Sequence, residues 1–309
     1  MLPETTTYVG ADVAQDSIAF RGPQAATIEN TPAALTDYVR ALPEGAHLVC
    51  EATGRHHHAL REVCAQTGRR LTVVNPAHAR AFARSFGKLE KTDALDAELL
   101  RRFGQERRPA PTPPPEPHRP VLLDLLLVRS ALVEDIGAHA RRAHLLASEA
   151  REELRALTRS LRLRLESVER RLSDWLEQAP EEVSQKVQTL CLATGVGTIT
   201  ALQVLAYLPE LGRCNRRQIA KLAGLAPLPW DSGLLRGQRS IRHGRAPARR
   251  VLYQCAVVSA RYNDTLRPVY RRLRNAGKPA KLAYVAIARR LLIYLNSLLR
   301  PAAQNPGAL

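Results

Sequence analysis

A proline-rich stretch separates two kinds of sequence pattern in this chain. Seven of the twelve residues in 109–120 are proline. Proline fixes its own φ and has no backbone N–H, so such a stretch favours an extended linker. We therefore expect an N-terminal domain at 1–108, a helical arm at 121–185, a basic domain at 186–300 and a disordered tail at 301–309.

The N-terminal 108 residues alternate between strand and helix patterns. Strand patterns, rich in β-branched and aromatic residues, lie at 6–12, 17–21, 25–29, 46–50 and 71–74. Helical patterns lie at 31–42 and 56–67 and begin again at Pro76. The order of three strands, helix, strand, helix, strand and helix predicts an α/β domain.

Four acidic residues occupy positions where such a fold gathers ligands. Asp12 lies at the end of the first strand and Glu51 at the end of the fourth, while Asp93 and Asp96 are spaced to share one face of a helix. Grouped carboxylates repel one another unless a cation lies between them, which predicts a divalent metal ion. Singly, each acid has an ordinary alternative as a turn, solvated or helix-capping residue.

Other metal and membrane sites are not indicated. The five cysteines are scattered without a C-x-x-C pair, which predicts reduced thiols in a cytoplasmic protein and no zinc site. The run His56 to His58 is interpreted as a polar loop or helix start. No unbroken apolar segment of about 18 residues and no signal peptide is found, so no membrane contact is expected.

The positive charge is concentrated in the last third of the chain. Residues 186–309 carry 21 of the 46 Lys and Arg residues but only 3 of the 29 Asp and Glu residues. A concentration of cations of this kind favours a polyanionic partner such as DNA, because each neutralised phosphate releases a counterion.

The arm at 121–185 carries a long helical repeat of leucines. The repeat predicts either a coiled coil or a long helical hairpin, with Gly137 and the region 147–149 as candidate breaks. Dimerisation is the default interpretation of such an arm.

The basic domain contains two candidate DNA-contact features. Gly195, Gly197 and Thr198 form a Gly-x-Gly connection resembling a helix-hairpin-helix, whose amides can bind a phosphate, with Arg216 and Arg217 nearby. The same connection could be plain architecture.

A second feature is Ser232 in an Asp-Ser-Gly turn. Most such turns have no chemical role, but this one precedes a dense set of arginines that includes Arg236, Arg239, Arg242, Arg249 and Arg250. Arginines can stabilise the negative charge that develops when a serine attacks a phosphate. Ser240 is the alternative nucleophile.

These motifs resemble the DEDD insertion-sequence transposases, a family that includes the Piv-type DNA invertases. The N-terminal resemblance rests on Gly10-Ala11-Asp12-Val13, Glu51-Ala52-Thr53-Gly54, Val74-Asn75-Pro76 and Lys91-Thr92-Asp93-Ala94-Leu95-Asp96-Ala97. The C-terminal resemblance rests on Ala226-Pro227, Ser232-Gly233, Arg236-Gly237, Ile241, Gly244 and Arg250-Val251-Leu252-Tyr253. The sequence departs from the family at His243-Gly244-Arg245, where members commonly show a Gly-rich or Gly-Asn/Asp step.

The resemblance implies a fold, a reaction and partners. It implies an RNase H-like (RuvC-like) domain, a coiled coil that joins protomers, and a helical transposase domain whose catalytic serine falls on Ser232. Asp12, Glu51, Asp93 and Asp96 of one protomer would hold Mg²⁺ beside Ser232 of another, in a dimer or in a tetramer on DNA. Strand exchange would pass through a phosphoserine link and a Holliday-junction-like stage, directed by a bridge RNA, in the bacterial nucleoid.

Two other functions are compatible with the same residues. A metal-dependent nuclease or Holliday-junction resolvase would use the carboxylates to activate water, and Ser232 would then be structural. A non-enzymatic nucleic-acid-binding protein from a decayed element would need only the basic surface. The sequence alone is also compatible with DNA as the sole nucleic-acid partner.

Overall fold

The chain forms two compact units, Met1–Pro117 and His118–Leu309. The computed structural model describes residues 6–86, 93–114, 116, 118–228, 231–232, 235–236 and 240–300, with the side chains of 93–95, 228, 231–232 and 235–236 excepted. The predicted tail at 301–309 lies outside the described residues. None of the helices in the described ranges is long and apolar enough to span a bilayer.

The first unit is a five-stranded mixed sheet with helices on both faces. Its strands are β1 (Tyr8–Val13), β2 (Ser17–Arg21), β3 (Ala26–Glu29), β4 (His47–Glu51) and β5 (Arg70–Val74). Its helices are α1 (Pro32–Ala41), α2 (His58–Gln66), α3 (Pro76–Ser85) and α4 (Asp93–Arg107). The strand order is β3-β2-β1-β4-β5, with β1, β4 and β5 parallel and the β1–β2 and β2–β3 pairs antiparallel. This arrangement confirms the predicted α/β, RNase H-like fold.

Alternate residues of β1 face opposite layers of helices. Val9 and Ala11 are fully buried in a core shared with α1 and α2. Tyr8 belongs to a smaller core on the other face, which it shares with residues of α3 and α4. Because side chains alternate along a strand, Gly10 and Asp12 face the same side as Tyr8.

Helix α4 lies directly on β1, and Gly10 makes this contact possible. A Cβ atom at Gly10 would overlap the backbone carbonyl of Ala97 and come within 2.6 Å of the Arg101 nitrogen. At the other end of the contact, a Cβ at Gly104 would overlap the ring of Tyr8. Helix residue 97 therefore lies over strand residue 10 and helix residue 104 over strand residue 8, so α4 runs antiparallel to β1.

The proline-rich linker pairs with the edge strand β5. The Thr112 amide donates to the Leu71 carbonyl at 2.8 Å, and the Val73 amide donates to the Thr112 hydroxyl at 2.9 Å. Arg61 donates to the Pro113 carbonyl at 2.8 Å. The extended backbone predicted for the linker is therefore also used to cover an edge strand, whose unpaired groups would otherwise be open to another chain.

A buried hydrogen-bond chain connects the sheet to this linker. The Thr72 hydroxyl donates to the Ala110 carbonyl at 3.0 Å, so the His47 Nε2–H must donate to Thr72, 2.8 Å away. The His47 imidazole is fully buried and stacks on Tyr8 with ring centroids 5.2 Å apart. Burial, reinforced by the charge of Arg70, lowers the pKa of His47 to about 4.

The second unit is mainly helical. Its long helices are α5 (Arg119–Ala143) and α6 (Ser148–Glu177), which form an antiparallel hairpin. The others are α7 (Glu181–Cys191), α8 (Thr198–Tyr207), α9 (Arg216–Leu222), α10 (Ala246–Tyr262), α11 (Leu266–Asn275) and α12 (Ala280–Leu298). The arm is thus a hairpin whose turn falls at 144–147, and Gly137 lies inside α5.

Only the base of the hairpin joins the core of the second unit. Leu122, Leu126 and Leu172 are buried in a cluster with residues of α7, α8, α9, α10 and α12. Farther along, the hairpin exposes large apolar side chains, with exposed fractions from 43% at Val133 to 86% at Leu145. These side chains are accessible to another molecule.

Ser232 lies in a small β-ribbon inserted between α9 and α10. The ribbon contains β6 (Pro227–Leu228), β7 (Asp231–Ser232), β8 (Leu235–Arg236) and β9 (Ser240–Ile241). Strand β6 pairs with β9, and β7 pairs with β8, both antiparallel. Ser232 therefore lies on the strand pair β7 and β8, which is the inner pair in sequence order.

Gly224 and Gly244 lie against each other at the base of the ribbon. We call this pair of glycines the neck. A Cβ at Gly224 would overlap the His243 carbonyl, and a Cβ at Gly244 would overlap the Gly224 nitrogen. Both glycines have positive φ, and so does His243, at 57°. His243 is the residue at which the sequence departs from the resembling family, and it occupies the left-handed region that glycine and asparagine adopt easily.

Two arginines hold the neck in place. Arg249 donates to the His243 carbonyl at 2.8 Å. Arg245 donates to both carboxylate oxygens of Glu210 at 2.6 Å and to the Tyr207 carbonyl at 3.0 Å. Burial alone would raise the pKa of Glu210, but the hydrogen bonds and charge of Arg245 outweigh it and lower that pKa.

The buried His47 predicts a loss of stability in mild acid. The unfolded histidine binds a proton near pH 6.5, whereas the folded pKa is about 4. Stability is therefore full above pH 6.5 and falls as the pH decreases towards 4, by on the order of 1–2 kcal/mol at pH 5. His47→Gln, which keeps a donor for Thr72, should shrink the difference between urea midpoints at pH 7.5 and pH 5. Since burial also lowers the pKa of His57 to about 4, part of the difference should remain. An unchanged difference would contradict this assignment.

The left-handed conformation of His243 predicts a specific order of variant stabilities. Its side chain is exposed, so substitution should act through the backbone. His243→Val should reduce the free energy of unfolding by about 1–2 kcal/mol, because a β-branched residue is strained at this φ. His243→Asn is the matched control and should lie within about 0.5 kcal/mol of the parent. Equal urea midpoints for the Val and Asn variants would show that the neck tolerates a different backbone.

Candidate active site and nucleic-acid surface

Asp12 and Glu51 lie side by side at the carboxyl edge of the sheet. Strands β1 and β4 are parallel with Ala11 opposite Cys50, so the next residues on each strand, Asp12 and Glu51, are adjacent. Adjacent strands are separated by about 4.8 Å. Both side chains are half-buried and project towards the α4 face, because they alternate with Ala11 and Cys50, which are buried on the other face.

The start of α4 extends towards this pair of carboxylates. Because α4 runs antiparallel to β1 and Ala97 lies over Gly10, the first turn of the helix continues beyond Gly10 in the direction of Asp12. Asp96 is half-buried and one turn before Leu100, which is buried against the sheet. Asp93 is the first residue of α4, one turn before Ala97, and its side chain lies outside the described residues.

The donor chemistry of this edge suits a hard divalent cation. Carboxylate oxygens are the ligands that Mg²⁺ and Mn²⁺ take in proteins. Where side chains are described, no three His, Cys, Asp or Glu residues are close enough to form a metal site. Asp12, Glu51 and Asp96 thus lie at one edge of the sheet without forming a three-residue metal cluster among the described residues, and the predicted ligand set stays a prediction.

Another acid on α4 is already engaged by arginine. Glu98 accepts hydrogen bonds from Arg101 at 2.7 and 2.8 Å and from Arg102 at 3.3 Å. The hydrogen bond from Arg101 is the main cause of the lowered pKa of Glu98. Glu98 is therefore held by two arginines of its own helix.

Two further polar residues at the same edge were not among the predicted site residues. Asn75 follows β5 directly, and its Oδ1 caps α3 by accepting from the Ala77 amide at 2.8 Å. Thr53 comes two residues after Glu51, and its buried hydroxyl has no hydrogen-bond partner within the described part of the chain. The strand residues before them, Glu51 and Val74, pair across β4 and β5. The sequence already showed that Thr53 and Asn75 come just after strand patterns.

The second unit places Ser232 on the ribbon described above. Its backbone pairs with Leu235 across β7 and β8, and its side chain lies outside the described residues. The same applies to the side chain of Arg236, and Arg239 lies wholly outside them. Ser240, the alternative nucleophile, accepts a hydrogen bond from Arg242 Nε at 2.9 Å at the base of the ribbon.

Three predicted DNA-contact arginines make contacts within the protein. Arg242 contacts Ser240, and Arg249 binds the neck through the His243 carbonyl. Arg250 forms an ion pair with Glu134 of α5, and both side chains are more than 60% exposed. An exposed pair of this kind contributes only about 0–1 kcal/mol, so a phosphate could replace Glu134 at little cost.

The Gly-x-Gly connection joins two helices as predicted. Gly195 has φ +95° and lies against the Ser259 side chain, and Gly197 is the N-cap residue of α8. Gly197 and Thr198 are exposed, which leaves the first amides of α8 accessible to a phosphate. Arg216 and Arg217 are exposed at the start of α9.

Two family models match this chain in consecutive regions. Residues 9–152 match a DEDD transposase model of the IS110 type, described as a transposase. Residues 187–271 match the model described as the transposase IS116/IS110/IS902 family. The first match contains the four predicted carboxylates, and the second contains Ser232 and the Gly-x-Gly connection.

Relatives of known name match nearly the whole chain. The pilin gene-inverting proteins of Moraxella bovis and Moraxella lacunata are each 27% identical over 320 residues, covering 95% of this chain and 96% of the relative. A 42 kDa protein of insertion element IS900 from Mycobacterium paratuberculosis is 40% identical over 89 residues, 28% of this chain. The chain belongs to the IS110 family of DEDD transposases, phosphoryl-transfer enzymes that act on DNA.

Proposed function

We propose that this transposase cleaves and rejoins DNA through a phosphoserine intermediate on Ser232. The observation that carries the proposal is the pair of adjacent carboxylates, Asp12 and Glu51, facing the start of α4. A chain with this edge in one unit and a serine on a basic ribbon in the other has the groups that phosphoryl transfer requires.

In the proposed reaction the Ser232 oxygen attacks a scissile phosphate. A bond forms between Oγ and phosphorus, the bond from phosphorus to the leaving strand oxygen breaks, and that oxygen receives the proton. Attack by the hydroxyl of a new strand reverses these steps and releases the serine, so the phosphodiester energy is conserved. Arginines near the ribbon, Arg236 and Arg242 among them, would stabilise the charge on the phosphate.

The carboxylates would hold Mg²⁺ or Mn²⁺, with Asp12, Glu51, Asp93 and Asp96 as ligands. When bound, such an ion polarises a phosphate and stabilises the oxygens of an in-line displacement. Two of these carboxylates lie on adjacent strands and a third on helix α4, which packs closely on β1 at Gly10. Rigid elements of this kind position ligands more accurately than loops.

We propose that the active assembly contains at least two copies of the chain. The hairpin of α5 and α6 exposes a series of apolar residues that a second hairpin could cover: Val121, Leu127, Val128, Val133, Leu145, Leu157 and Leu163. The active site would then be composite, with the carboxylates of one protomer and Ser232 of another. A tetramer on DNA would bring together the two strand pairs that recombination exchanges, through a Holliday-junction-like stage.

A guide RNA would select the DNA to be joined. The family resemblance supports a bridge RNA, and the basic second unit could bind it. RNA that co-purifies with the full chain and maps to one flanking locus would support this proposal, and an absence of enriched RNA would contradict it. DNA inversion, the activity named for the Moraxella relatives, is an equally suitable outcome of the same chemistry.

The second candidate function is a nuclease or junction resolvase that uses activated water. The same carboxylate edge favours it, because Asp12 and Glu51 would help to hold an ion that could activate water without a serine. The two functions differ in whether protein becomes joined to DNA.

Ser232→Ala should abolish the covalent adduct between protein and DNA. Mixed with a suicide DNA substrate in Mg²⁺, the parent chain should give a denaturation-resistant adduct, and the variant none. Ser240→Ala is the matched control and should retain the adduct within about tenfold, because its hydroxyl only contacts Arg242. Cleavage without any adduct in the parent chain would favour the nuclease.

A composite site predicts complementation between two inactive variants. Asp12→Ala and Ser232→Ala should each reduce recombination by at least about a hundredfold. When the two are mixed, one protomer supplies intact carboxylates and the other an intact serine, so part of the activity should return. Recombination of a plasmid substrate measures this. No recovery, with both variants folded and dimeric, would place all five residues in a single chain.

A further inference from the structure

Three tyrosines from three helices form one cluster on the second unit. The rings of Tyr270 on α11 and Tyr284 on α12 are stacked, with centroids 4.8 Å apart and an interplanar angle of 22°. Tyr253 on α10 meets Tyr284 edge to face at 5.8 Å. The chain has eight tyrosines in all, so three converging at one place is a concentration of aromatic surface.

The cluster is accessible to solvent. All three tyrosines are half-buried, unlike Leu252 and Ile287 on the same helices, which are fully buried. Helix α11 has no fully buried residue among its ten, so Tyr270 belongs to a helix at the surface of the unit.

Two tyrosines of the cluster have cations one turn away on their own helices. Residues 266–300 carry nine Lys and Arg residues and no Asp or Glu. Arg274 is one turn after Tyr270 and Lys281 one turn before Tyr284, and both are exposed. Residues three or four apart on a helix are neighbours, so each of these rings has a cation beside it.

We propose that Tyr253, Tyr270 and Tyr284, which we call the tyrosine platform, stack an unpaired base of single-stranded nucleic acid, while Arg274 and Lys281 bind its phosphates. Stacking on aromatic side chains combined with a cationic track is how proteins bind single strands without reading their sequence. Duplex DNA hides the faces of its bases, so the platform selects strands that are unpaired. The ligand is either a guide RNA or DNA strands opened during recombination, and the proposal rests on the proposed function.

Substitution of Tyr270 by leucine tests the platform. Leucine keeps apolar packing against the neighbouring helices but removes the ring. Tyr270→Leu in the full chain should weaken binding of a labelled oligothymidylate or oligouridylate of about 15 nucleotides by about tenfold, measured by fluorescence anisotropy. Binding of a DNA duplex of equal length should not change. Tighter binding of the RNA oligonucleotide would identify a guide RNA as the ligand, and tighter binding of the DNA oligonucleotide would identify opened DNA strands.

Three further variants separate stacking from packing. Tyr270→Phe keeps the ring and should bind within about twofold of the parent. Tyr262→Leu is the matched control, an exposed tyrosine on α10 roughly opposite Tyr253 around the helix, and should have no effect. Lys281→Gln should reduce the salt dependence of binding by about one phosphate contact.

A spectroscopic signal reports stacking directly. A single 2-aminopurine in the oligonucleotide should lose fluorescence on binding the parent chain and not on binding Tyr270→Leu. If that variant is unfolded by circular dichroism, Tyr270→Trp, with its larger ring, should bind more tightly than the parent. Folded Tyr270→Leu with parental affinity and parental quenching would overturn the proposal. Ser232→Ala should leave this binding intact, so loss of the covalent adduct and loss of single-strand binding are separate results.

Discussion

The contact between α4 and β1 at Gly10 is the constraint on which the carboxylate edge depends. No other residue fits there, because a Cβ would overlap the Ala97 carbonyl. The helix is therefore held against the strand at backbone distance, and its direction is fixed by the second contact, between Gly104 and Tyr8. The pleat of β1 then places Asp12 on the helix side, beside Glu51. Backbone geometry therefore brings Asp12 and Glu51 to one edge of the sheet.

The ribbon that carries Ser232 is held by a different kind of constraint. Its strands contribute only two residues each, so its ladders alone supply little stability. The neck supplies the support, through the crossing of Gly224 and Gly244 and the hydrogen bond from Arg249 to the His243 carbonyl. Ser232 is therefore carried on a ribbon whose base is held by close backbone contacts and by one arginine hydrogen bond.

Sequence patterns predicted the first unit better than the second, for physical reasons. Strands such as 46–50 consist mostly of apolar residues, so their burial can be recognised in the sequence. The positions of Asp12 and Glu51 then follow from where the strands end. The leucine repeat could not distinguish a coiled coil from a hairpin, since both have the same period. The pairing of Thr112 with β5 uses mostly backbone groups, which no side-chain pattern reveals. The tyrosine platform joins residues on three helices, and only tertiary packing brings them together.

Arg245 and Arg250 form ion pairs of different strength, and this difference bears on which of the two could contact a phosphate. Arg245 makes two short bonds to Glu210 and one to a backbone carbonyl, all partly buried, so removing it would leave a carboxylate without its partner. The pair of Arg250 and Glu134 is exposed and is worth at most about 1 kcal/mol. A phosphate offers Arg250 an acceptor at least as strong as the one it leaves. Arg245 therefore supports the fold, whereas Arg250 could exchange its partner at little cost, although the two arginines are only five residues apart.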